Sequence, residues 1–249
     1  MLGLQTYTVR DKIQDRESAF SLMRAIKDIG YECVQLAGNA VTLKNCMDAC
    51  KSAGLKVVGI LSSAAFLNES FDFVVELADG ARPFDIGISS GIKTEDEAKE
   101  LVSTANELAR RFCKLGFTFS YHNHSNEFIN PANNGTLMDI LIAGFDQEYV
   151  TLMPDTYWLQ HGGVDVRAFL EGLSGRVNIL HLKDMKRGSD GPTFAPLGEG
   201  NMNFPGILSV ARAIGATNYI VEQDTCEGDS LECARQSYKY LKSLLDNFK

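Results

Sequence analysis

The stretch FTFSYHNHSNEF, residues 117–128, begins as an apolar, aromatic run and ends in two histidines, two asparagines and a glutamate. Aromatic residues and Thr in short order fit a strand better than a helix, and the polar tail marks where that strand leaves the interior. Before it lies TEDEAKELVSTANELARRFCKLG, with apolar positions recurring three and four apart, and after it TLMDILIAG repeats that pattern. A strand between two helices, with its chemistry gathered at the strand's end, is the unit to seek elsewhere in the chain.

The unit recurs from end to end. Strands are expected at LGLQTY (2–7), CVQLA (33–37), KVVGIL (56–61), FDIGI (84–88), FTFSYHN (117–123), VTLMPD (150–155), NILHLKD (178–184) and YIVEQD (219–224). Helical patterns lie between them: ESAFSLMRAIKDIG, TLKNCMDACKSAG, AAFLNESFDFVVELADG, the two quoted above, DVRAFLEGLSG, FPGILSVARAIG and, last, SLECARQSYKYLKSLLDNF. Several start after Asp, Ser or Thr and close on Gly30, Gly54, Gly116, Gly144 or Gly215, as capping chemistry requires. Eight apolar strands alternating with helices predict a parallel sheet covered by helices, an α/β fold closed into a single (β/α)8 TIM barrel over residues 1–249. A doubly wound open sheet is the alternative. It normally carries a glycine-rich phosphate loop after its first strand, and residues 5–14 contain no glycine.

Composition bounds the function. Hydrophobic residues make up 45% and charged residues 22% of the 249, an ordinary globular balance. The formal net charge of −8, without a cluster of Lys and Arg, argues against nucleic acid as a partner. No apolar run reaches the roughly 18–20 residues that cross a bilayer, and the first residues lack a basic segment followed by an apolar core. A cytoplasmic protein with no membrane partner is therefore expected. Six scattered cysteines without a CxxC pair read as buried thiols and not as a disulfide framework or zinc site.

In a barrel of this kind catalytic groups stand at the C-terminal ends of the strands. Strand five delivers His122, Asn123 and His124; strand six Asp155; strand seven His181, Lys183 and Asp184; strand eight Glu222 and Asp224. Mixed imidazole and carboxylate ligands at four neighbouring strand ends suit one catalytic divalent ion, Mn, Zn, Co or Mg. The expected ligands are His122, Asp155, His181 and Glu222. Side chains alternate along a strand, so Lys183 shares the inward face of His181 and His124 shares that of His122, while Asn123, Leu182 and Asp184 face the other way.

With these residues in view, the sequence resembles the sugar phosphate isomerase/epimerase superfamily with the xylose isomerase-like TIM barrel, which includes ketose 3-epimerases, inosose dehydratase and endonuclease IV relatives. GLQTYTVRD, GYECVQLAG, YHNHSNEF, MPDTYWLQHGGVD, ILHLKDM, PLGEGNMNFPGIL and YIVEQD carry the resemblance, in order, over nearly the whole chain. It implies a metal bound by Glu, Asp, His and Glu from strands five to eight. The last three correspond to Asp155, His181 and Glu222, and the strand-five glutamate to His122. This chain thereby lacks one of the two glutamates that exchange protons across the substrate in the ketose epimerases.

The resemblance implies a metal-dependent isomerase or epimerase acting on a small sugar, sugar phosphate or polyol through an enediolate. The alternative is a lyase that dehydrates a keto-inositol or eliminates a group from a 3-keto glycoside. Glu222 is the expected base, His122 or His124 the group that returns the proton, and Lys183 the donor to a developing oxyanion. Gln5 and Tyr7 are expected to complete the mouth, and Glu199, in LGEGNMNF, to close on the substrate. Trp158, the only tryptophan, either stacks on a sugar ring or packs within its loop. Glu127, just past strand five, reads first as a solvated carboxylate outside the pocket, with a reach back toward the site as the alternative. Phosphodiester cleavage fits poorly, since a three-metal cluster needs more ligands than four histidines and an acidic surface provide. A metabolite-binding barrel without turnover stays open, and assembly into a homo-oligomer is compatible with the resemblance.

Overall fold

A computed structural model describes residues 1–247. Eight parallel strands form one sheet: β1 (Leu2–Gln5), β2 (Cys33–Leu36), β3 (Lys56–Ser62), β4 (Asp85–Ser89), β5 (Thr118–His122), β6 (Val150–Met153), β7 (Ile179–Leu182) and β8 (Asn218–Val221). Their order is β6-β5-β4-β3-β2-β1-β8-β7. The two end strands meet through single parallel bridges, Leu152 to Val177 and Asp155 to His181. The sheet thereby nearly closes on itself, and the expected (β/α)8 barrel is the fold.

Local chemistry sets the helices around it. Arg16–Ile29 opens with a capping box between Asp15 and Ser18, and Glu95–Lys114 with one between Thr94 and Glu97. Gly30 and Gly54 end the first two barrel helices in the left-handed region, at φ 118° and 65°, where a β-carbon would be strained. Ala19, Leu22, Met23, Ile26 and Ile29 recur at helical spacing and are buried against the sheet. The strands are apolar on both faces because helices cover one and the barrel interior the other.

The structure departs from the sequence reading in three respects. AAFLNESFDFVVELADG forms two helices, Ala64–Glu69 and Phe71–Leu77, because Ser70 leaves helical geometry at φ −112°, ψ 28°. Six expected strands overrun their ladders by one to three residues, mostly because polar residues at their ends turn out of the sheet to form the site. Stretches not expected to hold these elements carry structure: a 3₁₀ segment at Thr6–Lys12, short helices at Asn126–Ile129 and Thr156–His161, a two-residue strand pair at Pro131–Ala132 and Gly135–Thr136, and a hairpin of Asp184–Gly188 with Gly191–Ala195. Phe248, which ended the expected last helix, lies outside the described residues; that helix is described as Ser230–Asn247. All six cysteines are free thiols, with Cys33, Cys46 and Cys50 buried and Cys113, Cys226 and Cys233 only partly so. Among the described residues no helix is long and apolar enough to cross a membrane.

Candidate metal centre and active site

The four expected ligands converge. His122 at the end of β5, Asp155 just past β6, His181 within β7 and Glu222 just past β8 are all buried, and one ligand atom from each lies within 4.8 Å of the others. His122 Nε2 stands 3.4 Å from Asp155 Oδ2 and 3.9 Å from Glu222 Oε2, and His181 Nδ1 stands 3.0 Å from Glu222 Oε2. Backbone capping fixes Asp155: Oδ1 accepts from Trp158 N as the helix N-cap, which leaves Oδ2 for the cluster. The backbone N–H of Asp155 donates to Asn123 Oδ1, so β5 and β6 are locked together at the site.

Lys183 stands within this group as alternation from His181 required. Its ammonium lies 3.0 Å from Asp155 Oδ2, 2.9 Å from Glu222 Oε2 and 2.9 Å from Asp224 Oδ1. Burial alone would strip its proton, but the three carboxylates outweigh that and raise its pKa. Burial pushes the other way on Glu222 too, yet Lys183 beside it holds it well below the usual carboxylate range, and Lys183 lowers Asp155 against burial in the same way. Burial lowers the pKa of His122, and burial together with His122 and Lys183 lowers that of His124 to about 4. Both imidazoles are therefore neutral near pH 7.

A cavity of about 560 Å³ opens above the cluster, lined by Gln5, Tyr7, His122, His124, Lys183 and Glu222 among others. Gln5 is fully buried at its base and Tyr7 is exposed at its rim, with Arg10 stacked 3.8 Å over the Tyr7 ring. Trp158 is not on the lining; its ring packs behind His124 at 5.4 Å and against Tyr157 and Phe194, as loop packing predicts. Glu199 lies outside the cavity, exposed beside a separate depression with Lys186 and Glu227. The reason is local: Asp184 Oδ2 accepts from Gly198 N at 2.9 Å and Gly200 N at 3.0 Å, which turns the side chain between them outward.

Glu127 corrects the sequence reading most plainly. It is fully buried, not solvated: its carboxylate accepts from the Tyr121 hydroxyl at 2.6 Å and from His124 N at 3.1 Å. Burial raises its pKa to about 7, although those hydrogen bonds pull it down. It lines no part of the cavity and acts on the end of β5 through the backbone.

A model of the xylose isomerase-like TIM barrel family matches residues 23–244. The chain belongs to that family. An inosose dehydratase from Lactiplantibacillus plantarum is 27% identical over 173 residues, covering 62% of this chain and 57% of that relative, so the match spans little more than half of its length. A sugar phosphate isomerase/epimerase from Parabacteroides distasonis superposes with a TM-score of 0.79 at 24% identity, over 97% of this chain and 93% of that one. An L-ribulose 3-epimerase gives 0.78 at 14% identity, over 99% and 94%. At these identities the structural likeness establishes the shared barrel.

The donor set of this xylose isomerase-like barrel fits a divalent ion. Neither ring nitrogen of His122 has a hydrogen-bond partner among the described residues, although the ring is buried. A neutral imidazole so placed offers a lone pair with nothing to satisfy it. Asp155, Glu222 and Asp224 set three negative charges against the single positive charge of Lys183, and the two left over match one divalent cation. Sequence reasoning missed Gln35, fully buried in β2 with its Oε1 2.8 Å from His181 Nε2. The signal was present, since Gln35 is a lone amide inside the apolar run CVQLA.

Proposed function

We propose that this chain is a metal-dependent enzyme acting on a small polyhydroxylated ketone, a sugar or cyclic polyol, and that it eliminates water from it as a dehydratase-type lyase. The observation that carries this reading is the one-sided placing of carboxylates on the cavity wall. Glu222 and Asp224 stand at the end of β8, whereas β3, β4 and β5, across the barrel, contribute Ser62, Ser63, Ser89, His122 and His124. Epimerisation at one carbon needs a proton carrier on each face of the substrate, while elimination can run with one.

A divalent ion held by His122, Asp155, His181 and Glu222 would polarise the ketone carbonyl and so acidify the neighbouring C–H. Glu222, kept ionised by Lys183, takes that proton. Lys183 donates a hydrogen bond to the oxygen on which negative charge develops. The protonated Glu222 carboxyl then returns the proton to the β-hydroxyl, which leaves as water from the same face, so protons and electrons balance. The serine hydroxyls and Gln5 supply neutral donors and acceptors for the remaining hydroxyl groups. The inosose dehydratase relatives support the same class of reaction.

The second reading, an isomerase or epimerase, is favoured by His124, which lines the cavity where an epimerase's second proton carrier would stand. Incubation of the ion-loaded protein with a keto-inositol and a 3-keto glycoside in D₂O separates the two. An unsaturated product formed with loss of water from the keto-inositol, or of the glycosidic alcohol from the 3-keto glycoside, and absent in Glu222→Gln, supports the lyase; deuterium in an intact sugar supports the isomerase or epimerase. Neither product from any keto-sugar would remove both readings.

A further inference from the structure

His181 touches two acceptors of opposite meaning. Nδ1 faces Glu222 Oε2 at 3.0 Å, and Nε2 faces Gln35 Oε1 at 2.8 Å. Which ring nitrogen carries the proton follows from a chain of donors that starts at the backbone. The N–H of Tyr7 can only donate, and it lies 3.2 Å from Gln5 Oε1. Gln5 therefore presents its oxygen to Tyr7 and its NH₂ to Gln35, donating from Nε2 to Gln35 Oε1 at 2.7 Å. Gln35 must then present oxygen on that side, with its own Nε2 turned to the Met153 thioether, a weak acceptor, at 3.5 Å. An amide oxygen meeting His181 Nε2 at hydrogen-bond distance requires a proton on that nitrogen.

We infer that Gln5 and Gln35 are positioning residues that fix His181 as its Nε2–H tautomer and leave the Nδ1 lone pair facing the carboxylates, as the atom that binds the ion. All three side chains are fully buried, so water does not compete for the Nε2 proton. A neutral amide in this role also adds no charge to a group that already carries two uncompensated negatives. The partner that a metal-bound histidine needs for its far nitrogen is here the second of two amides in series.

This inference rests on the metal reading, and the experiment separates the two. Zn²⁺, a diamagnetic ion, is loaded into the full chain labelled with ¹⁵N-histidine, and its affinity is measured by chelator competition for the wild type, Gln35→Met and Gln35→Glu. The His181 resonances of the loaded wild type should show a protonated Nε2 and an unprotonated Nδ1. Gln35→Met should weaken Zn²⁺ binding by about 10- to 100-fold, and Gln35→Glu, which keeps the acceptor, should restore it to at least the wild-type level. A proton on Nδ1 would overturn the inference, even if Gln35→Met fails to fold. So would a folded Gln35→Met that binds Zn²⁺ as the wild type does, and that result would leave the metal reading standing. A wild type that binds no divalent ion would overturn both.

Discussion

Lys183 decides the charge balance of the site. Its ammonium is the only cation within reach of Asp155, Glu222 and Asp224 among the contacts described, and it is buried with two of them. Removing one partner of a buried ionic group leaves charge without compensation, which costs about 3–5 kcal/mol. Lys183→Met should therefore lose stability on that order in chelator, read from urea denaturation, and regain part of it when Mn²⁺ or Mg²⁺ is added. A variant as stable as the wild type in chelator would show that the carboxylates are not charged together. Glu127 gives a second prediction at this scale. Its folded pKa is raised from 4.5 to about 7, so the native state holds the proton more tightly than the unfolded chain. Its contribution is fully present below pH 4.5 and is lost as the pH rises through 7, a swing of at most about 3 kcal/mol. Glu127→Gln, neutral at every pH, should lack that decline, so the stability difference between variant and wild type should grow from pH 4.5 to 7 and then level off. A difference that stays flat across that window would contradict the buried, proton-holding state. The two residues also mark what was legible in sequence. Alternation from His181 was enough to bring Lys183 inward. Nothing in YHNHSNEF distinguished a solvated Glu127 from a buried one, because burial there depends on the Tyr121 hydroxyl turning back under the strand.

The elements were legible in kind and less so in extent. Hydrophobic period and capping residues located the eight strands and most helices. Strand ends were overrun because Pro154, Asp155 and Lys183 have no local signal that separates the last ladder residue from the first one released into the site. The loop after β7 shows the same limit. The glycines of LGEG signalled a turn, but the turn's direction is set by Asp184, whose Oδ1 accepts from Met185 N at 2.8 Å and Met202 N at 3.3 Å while Oδ2 holds Gly198 and Gly200. A side chain at Gly200 would collide with that carboxylate, so the loop closes over Asp184 only with glycine there. Asp184→Ala should release residues 196–202: their amide hydrogen exchange should speed up markedly, and overall stability should fall by about 3 kcal/mol, given that hydrogen bonds to a charged acceptor are worth about 1.5–3 kcal/mol each and do not add fully. Unchanged exchange across the loop would mean that its packing, not Asp184, holds it.

At the scale of the whole barrel, closure and chemistry meet at one seam. β6 and β7 share no regular ladder, only the bridges at Leu152 and Asp155, with Leu152 N donating to Arg176 O and His181 N to Pro154 O. The other seven strand junctions are regular ladders, apart from one register shift in β2 between Val34 and Gln35, so the amides of Leu152 and His181 should exchange faster with solvent than those in the middle of β3 and β4. Two of the proposed ligands stand on opposite sides of this seam, Asp155 beyond β6 and His181 in β7. An ion bound between them would act as a clasp on the weakest junction of the barrel. At a free concentration a hundred times its dissociation constant, such an ion adds about 2.7 kcal/mol to stability, which for a chain of this length means a rise in Tm of roughly 5–10 °C. The expected outcome is therefore double: Tm climbs with added Mn²⁺ or Zn²⁺ and returns with chelator, and the same titration slows exchange at Leu152 and His181 more than in β3 and β4. A thermal shift without local slowing at those two amides would place the ion elsewhere and break the link between the closure of the barrel and the proposed metal centre.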